Sequence, residues 1–281
     1  MILVDLNQII ISNLMMQIGR GKQKLEENLI RHMALNALRA YIKQFKSEYG
    51  TVVICCDSPK YWRRDVFPFY KVNRRKDREK SDLDWTMIFQ TLNNLRAELM
   101  EYFPYKVINV EGAEADDVIA TLVKRYAPHE SVLILSSDKD FTQLQKYDNV
   151  KQYSPMAKKF LKSPDPRAYV YEHIMKGDRG DGIPNFLSPD DTFVRGLRQK
   201  VINSKKLSEW IGKDPNDFCD STMLRGYKRN QMLVDFEYIP EEVMAKIVEA
   251  YDAAKPATKG KMLNYFMAKK LTALIEVIDE F

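Results

Sequence analysis

Four short runs of apolar, mostly β-branched residues punctuate the first half of the chain: Ile2–Leu6, Val52–Asp57, Lys106–Val110 and Val132–Asp138. Continuous rather than alternating apolar runs of this length suit strands that are covered on both faces. Between them the period changes. Leu29, Met33, Ala37, Ala40 and Ile42 fall at helical spacing within 26–47, and similar patterns cover 84–102 and 115–126. The βαβα alternation predicts a parallel sheet in an α/β domain. After Pro184 the strand runs stop and helical patterns take over, ending with Glu241–Tyr251 and Lys261–Phe281. The expected organisation is an α/β core over 1–185 and a smaller helical domain over 186–281, with Pro184–Pro189 near the junction.

The 281 residues are 45% hydrophobic and 30% charged, enough apolar material for a sizeable core. No run approaches the roughly 18 apolar residues of a membrane span, and Met1–Asp5 lacks the basic start of a signal peptide. A soluble, cytoplasmic protein without membrane contact is expected. The three cysteines, Cys55, Cys56 and Cys219, include an adjacent pair and no CxxC spacing, which argues for reduced side chains over a disulfide framework or a zinc site. Eleven scattered glycines form no phosphate-binding loop. No heptad or broad apolar stripe calls for a second copy, so a monomer is expected.

The net charge of +5 is local. Lys60–Lys80 holds nine Lys or Arg and three Asp or Glu, a net +6, so the remainder of the chain carries −1. Concentrated positive charge is an electrostatic footprint for phosphate backbones, although a basic run can also be a plain solvated face.

The acids are more informative. Asp5 follows the apolar core of the first run, Asp57 closes the second and Asp138 closes the fourth, with Asp140 two residues on. In a parallel sheet these strand ends share one edge, where α/β folds place their sites. Glu114-Ala-Asp-Asp117 begins a helix after the third run, and Gly177-Asp178-Arg-Gly-Asp181 makes a turn after a helix near 166–176. Five separated segments thus send acids towards one place. Alone, each has an ordinary reading: Glu114, Asp116 and Asp117 suit a helix N-terminus, Asp138 a cap, Asp178 and Asp181 a turn. Together they repel one another unless cations intervene. Oxygen ligands favour magnesium or manganese, and His32, His129 and His173 are not read as ligands. Two such ions activate water and stabilise the leaving oxygen of a phosphodiester.

The basic segment interleaves aromatic residues: Tyr61-Trp-Arg-Arg-Asp65, then Tyr70-Lys-Val-Asn-Arg74 and Arg75. Such a mixture can stack bases and grip phosphates of a single strand. Lys71 and Arg63 could neutralise charge developing on a scissile phosphate.

These stretches, with Glu114–Asp117, Ser136-Ser-Asp-Lys-Asp-Phe-Thr-Gln-Leu144 and Lys176-Gly-Asp-Arg-Gly-Asp181, resemble the ordered signature of the flap endonuclease family. Lys151–Met156 and Leu233–Pro240 are similar to its branch of T-even bacteriophage ribonucleases H. The resemblance implies a PIN-like α/β nuclease core with a basic arch over 58–82 that threads a 5′ single strand, and a helical C-terminal region. It implies 5′ to 3′ exonuclease, flap endonuclease and ribonuclease H activities, which remove RNA primers and flaps in DNA replication. It also implies a site for two Mg²⁺, with Mn²⁺ able to substitute. Asp5, Asp57, Glu114, Asp116 and Asp138 would hold the first ion, Asp140, Asp178 and Asp181 would surround the second, and Asp117 would support them. Lys71 matches the family's active-site lysine. Arg63, Tyr70 and Arg74, beside Tyr61, Trp62, Arg64 and Arg75, would meet the nucleic acid. The implied partners are DNA with a 5′ flap or single-stranded 5′ end, RNA-DNA hybrid and the phage single-stranded DNA-binding protein. Gly182-Ile-Pro-Asn-Phe-Leu-Ser-Pro189 departs from the family's Gly-x-Gly hairpin, and only four residues precede Asp5, where relatives carry sliding-clamp contacts; duplex binding there and clamp binding stay open.

Two other functions fit parts of the pattern. An aspartate-nucleophile phosphatase also begins with a strand-end Asp, but Asn7 stands where its second acid would be. A non-catalytic nucleic-acid binding module would use the basic segment alone and would not need the acids.

Overall fold

The computed structural model describes residues 1–18 and 26–281. The four apolar runs become strands β1 (Ile2–Asp5), β2 (Val52–Cys55), β3 (Lys106–Ile108) and β4 (Val132–Leu135). Two further strands, β5 (Val150–Ser154) and β6 (Lys159–Leu161), extend a sheet of order β3-β2-β1-β4-β5-β6. Neighbours from β3 to β5 pair in parallel, and β6 turns back antiparallel. Because β2 and β4 lie on opposite sides of β1, connections diverge there, and a crevice opens at the carboxyl ends of β1 and β4.

Alternation within the strands sorts the core into two layers. Ile2, Val4, Val52, Ile54, Leu133 and Leu135 point to one face, against α1 (Leu6–Ile18), α2 (Glu27–Tyr49) and α5 (Trp85–Tyr102). Leu3, Val53, Cys55, Val132 and Ile134 point to the other, against α6 (Ala115–Tyr126). Burial on both faces explains why these strands read as unbroken apolar runs. Cys55 and Cys56 are buried, Cys219 is half-buried, and all three are free thiols.

The basic segment forms two short helices, α3 (Arg63–Val66) and α4 (Val72–Glu79). It is anchored rather than free: Phe67 and Tyr70 are buried with Ile183, Leu233 and Val234. α7 (Pro166–Lys176) precedes the last acidic turn, and its Ile174 and Met175 pack with Phe186, Leu207 of α8 (Ser204–Trp210) and Tyr227 of α9 (Ser221–Val234). The remaining helices return to the sheet. Val243, Ile247 and Tyr251 of α10 (Glu241–Ala253) join the α6 layer, whereas Met262 and Phe266 of α11 (Lys259–Ala268) and Leu274 of α12 (Thr272–Ile275) join the α2/α5 layer.

Several elements differ from the sequence reading, β6 among them. α1 was not anticipated, because its start is continuous with the apolar run of β1. β5 was hidden by its polar side chains, yet Gln152 is fully buried and donates to the carbonyl oxygens of Ser136 at 3.0 Å and Asp138 at 2.5 Å. The helical pattern over Lys261–Phe281 is broken after α11, where Lys270 takes a left-handed φ of 56°. No helix among the described residues is long and apolar enough to cross a membrane.

Candidate active site

The crevice beside β1 is lined with acids held by short local contacts. Asp5, the last residue of β1, accepts from the Gln8 amide at 3.1 Å and from the Ser136 hydroxyl at 2.9 Å. Asp57, just past β2, accepts from Asn7 Nδ2 at 2.7 Å and from the Ala115 amide at 2.8 Å, so it caps α6 from a neighbouring strand. Asp138 accepts from the Asp140 amide at 3.0 Å at the start of a 3₁₀ turn, Lys139–Lys146. Asp116 stands one residue into α6 with no salt bridge among the described residues.

The acids of the last turn arrive by a tight route. α7 ends at Gly177, whose φ is 66°, and a Cβ there would lie 2.4 Å from the Ile183 carbonyl oxygen. Only glycine lets the chain reverse so closely. The Ile183 amide then donates to the Asp178 carbonyl at 2.7 Å, and the Asp181 amide to Asp178 Oδ1 at 3.1 Å.

Among the described residues, Lys and Arg pair with this cluster on one side. Lys71, in a left-handed conformation at φ 57°, places Nζ 2.6 Å from Glu114 Oε1 and 3.6 Å from Asp181 Oδ2. The Tyr70 hydroxyl donates to the same two acids, at 3.1 and 3.0 Å, and Arg74 pairs with Asp181. Burial alone would raise Glu114 and Asp181, but Lys71 with Arg63 and Lys71 with Arg74, respectively, hold both below the usual carboxylate range.

The other side has no such ion pairs among the described residues. No Lys or Arg among the described residues forms an ion pair with Asp5, Asp57, Asp116 or Asp138. Burial, then Asp57, pushes Asp5 up to about 7, and burial, then Asp140, pushes Asp138 up to about 6. Asp116 is raised well above the carboxylate range by burial and then by Asp138. Asp178 is raised by burial and then by Asp181 and Asp140. Four acids that oppose one another across one crevice fit a group of hard divalent cations.

Several residues assigned to substrate from sequence are internal instead. Arg63 is 2% exposed; it pairs with Glu114 at 2.9 Å and Asp117 at 2.8 Å and donates Nε to the Leu233 carbonyl at 2.9 Å. Its guanidinium is thereby committed, and a direct phosphate contact does not suit it. Trp62 is buried, donating Nε1 to Asp117 Oδ2 at 3.2 Å with Arg63 over its ring, and Tyr70 is buried under Lys71. Neither ring is presented for base stacking. Asp117 is fully buried among Arg63, Trp62 and the Glu114 amide, which places it behind the acids that face the crevice. Tyr61 is half-buried with Arg64 over its ring at 4.8 Å, and Arg64, Arg74 and Arg75 are exposed along the segment.

Sequence reasoning passed over His173 and Tyr169. His173 Nε2 lies 3.2 Å from Asp140 Oδ1 and 3.7 Å from Asp178 Oδ2, and the Tyr169 hydroxyl donates to Asp140 at 3.3 Å. The signal was present: the two are four residues apart on α7, hence on one helical face, and that helix runs directly into Asp178.

Comparison with known proteins agrees with this geometry. Residues 1–173 match the family described as 5′-3′ exonuclease, N-terminal resolvase-like domain, and residues 165–281 match T4 RNase H, C terminal. The chain is 37% identical to ribonuclease H of Enterobacteria phage T4, over 99% of this chain and 95% of that protein. A T5 protein co-crystallised with metal ions shares the fold with TM-score 0.64 at 17% identity, over 89% of this chain and 98% of that one. The bacteriophage T5 flap endonuclease in complex with DNA and metal ions aligns with TM-score 0.60 at 17% identity over the same shares. The chain belongs to the 5′-3′ exonuclease family of nucleases, in the branch that contains T4 ribonuclease H.

Proposed function

We propose that the protein removes RNA primers and 5′ flaps in DNA replication by hydrolysing phosphodiesters near a 5′ end, using two Mg²⁺ for which Mn²⁺ substitutes. The observation that carries this reading is the set Asp5, Asp116, Asp138 and Asp178 at the sheet edge, each carboxyl pushed up by burial and then by its neighbours and none paired with a Lys or Arg among the described residues, in a chain of this family. The residues fit the ions: carboxylate oxygens dominate the donor set, and their mutual repulsion calls for more positive charge than the Lys and Arg side chains among the described residues supply there. Asp5, Asp57, Glu114, Asp116 and Asp138 would hold one ion, and Asp140, Asp178 and Asp181 the other. When bound, the ions supply a nucleophilic water at neutral pH and stabilise the leaving oxygen.

The remaining work falls to the chain's own groups. Ser136, Gln8 and Asn7 orient Asp5 and Asp57. Arg63 and Asp117 fix Glu114 from behind. The Lys71 ammonium, between Glu114 and Asp181, is placed to balance negative charge that grows on a phosphate entering the crevice. Exposed Arg64, Arg74 and Arg75 and half-buried Tyr61 line the approach for a 5′ single strand. The protein would act as a monomer in the host cytoplasm, with the C-terminal helices meeting a single-stranded DNA-binding protein.

Incubation with a 5′-flap DNA and a matched RNA-DNA hybrid, with Mg²⁺ or with EDTA, tests this directly. Short 5′-derived products that need Mg²⁺ support it. Salt-sensitive binding without cleavage would instead favour a binding module, and release of phosphate from monoesters alone would favour a phosphatase.

A further inference from the structure

The acids of the last turn share their space with an imidazole. Nε2 of His173 is shielded from solvent and has no hydrogen-bond partner, although Asp140 Oδ1 is 3.2 Å away and Asp178 Oδ2 is 3.7 Å away. One ligand atom from each of the three residues lies within 4.8 Å of the others. Two ligands at right angles on an octahedral ion with bonds of about 2.1 Å sit about 3 Å apart, so the 3.2 Å between His173 and Asp140 is close to the spacing of neighbouring positions around one cation, and Asp178 needs to move in by less than about 1 Å to join them. The three residues border a cavity of about 540 Å³ that is also lined by Gln8, Ser137 and Tyr169, so there is room for an ion with its remaining waters.

The imidazole is also held in place. Tyr169 stacks on His173 with ring centroids 5.5 Å apart and planes 14° from parallel, while its hydroxyl donates to Asp140 at 3.3 Å. One tyrosine therefore orients both the ring and the carboxylate, as supporting groups around metal ligands do. A buried nitrogen without a partner costs free energy unless something bonds to it.

We propose that His173 is a direct ligand of the second cation, together with Asp140 and Asp178, and that its nitrogen shifts this position towards later transition ions such as Co²⁺ relative to Mg²⁺. The proposal rests on the two-ion reading above. Imidazole favours the later, softer divalent ions, whereas an all-oxygen position favours Mg²⁺. The two cation positions would then differ in preference, the one near Asp116 being lined by oxygen alone.

Pulsed electron paramagnetic resonance of the full-length protein loaded with Mn²⁺ alone reads whether a nitrogen nucleus is bonded to the ion. Nitrogen coupling is expected in the native protein and in the His32→Gln/His129→Gln variant, and is expected to vanish in His173→Gln. In calorimetric titrations, His173→Gln should lose roughly tenfold or more in Co²⁺ affinity at one of two positions, with a smaller change for Mg²⁺. The double variant assigns the coupling even if His173→Gln does not fold. Native protein that binds two Mn²⁺ without nitrogen coupling overturns the proposal and leaves the two-ion reading standing. A native protein that binds no Mn²⁺ overturns both.

Discussion

The Lys71 ammonium lies 2.6 Å from Glu114 Oε1, which fastens a side chain of the basic segment to the acid that opens α6. The basic segment and the sheet edge that holds the acids are therefore one unit. Lys71 is held by its own backbone as well, its amide donating to the Asp181 carbonyl at 2.7 Å.

Removal of that ammonium should cost catalysis more than binding. For Lys71→Ala, kcat on a 5′-flap substrate is expected to fall by about 10²-fold or more, the scale for losing one preorganised positive donor, with a smaller change in KM. Single-turnover kinetics measures this, and an unchanged kcat would remove Lys71 from the chemistry.

Arg63 should behave differently. It is buried against Glu114 and Asp117, and Arg63→Met leaves Asp117 buried without a cation and Glu114 with Lys71 alone. A stability loss of about 3–5 kcal/mol is expected, the scale for breaking a buried pair by removing one partner. Urea unfolding with EDTA present checks it. A variant of native stability that binds flap DNA poorly would return Arg63 to the substrate-contacting role.

Gly177 shapes the last acidic turn. Gly177→Ala sets a Cβ against the Ile183 and Pro184 carbonyl oxygens at a left-handed φ. The expected cost is about 1–3 kcal/mol together with weaker binding of one of two Mn²⁺, since Asp178 must move. Calorimetric titration with Mn²⁺ reads both positions; two unchanged affinities would contradict the account of how this turn is held.

The pH dependence of stability without metal follows from the crevice acids. Asp5 is pushed up to about 7 and Asp138 to about 6, first by burial and then by neighbouring carboxylates. Raised carboxyls bind protons more tightly in the folded chain than in the unfolded one. The stability they lend is complete below the ordinary carboxylate value and is lost as pH rises through about 6 to 7. In EDTA the melting temperature should therefore drop between pH 5 and pH 8, and saturating Mg²⁺ at pH 8 should restore it. A melting temperature that rises over this range in EDTA would contradict the charge balance described for the crevice.

Much of this site was legible because strand ends in a parallel sheet share an edge. Asp5, Asp57 and Asp138 each terminate an apolar run, so their convergence needed only the βαβ rule. Likewise the first turn of α6 brought Asp116 to the same edge. What the sequence hid depends on tertiary packing. Trp62, Arg63 and Tyr70 share the composition of a solvated nucleic-acid surface, and only the docking of α3 against Asp117 and Leu233 shows that they face inward. β5 was masked by Gln152, a polar residue whose amide is satisfied by carbonyl oxygens that no local pattern brings near. His173 has only a weak sequence signal, its place on the helical face of Tyr169 ahead of Asp178, and the placing of that helix beside Asp140 is what gives it weight.

The central claim is that the uncompensated acids of the crevice hold the ions that cleave nucleic acid. Asp116→Asn tests it most directly, because Asp116 has no salt bridge among the described residues and its exchange for an isosteric amide removes charge while keeping shape. Measured by product length on a 5′-flap DNA in saturating Mg²⁺, the variant should cleave at least about 10²-fold more slowly than the native protein while melting in EDTA at the same or a higher temperature. Native-rate cleavage by Asp116→Asn would contradict the assignment of the crevice as the active site.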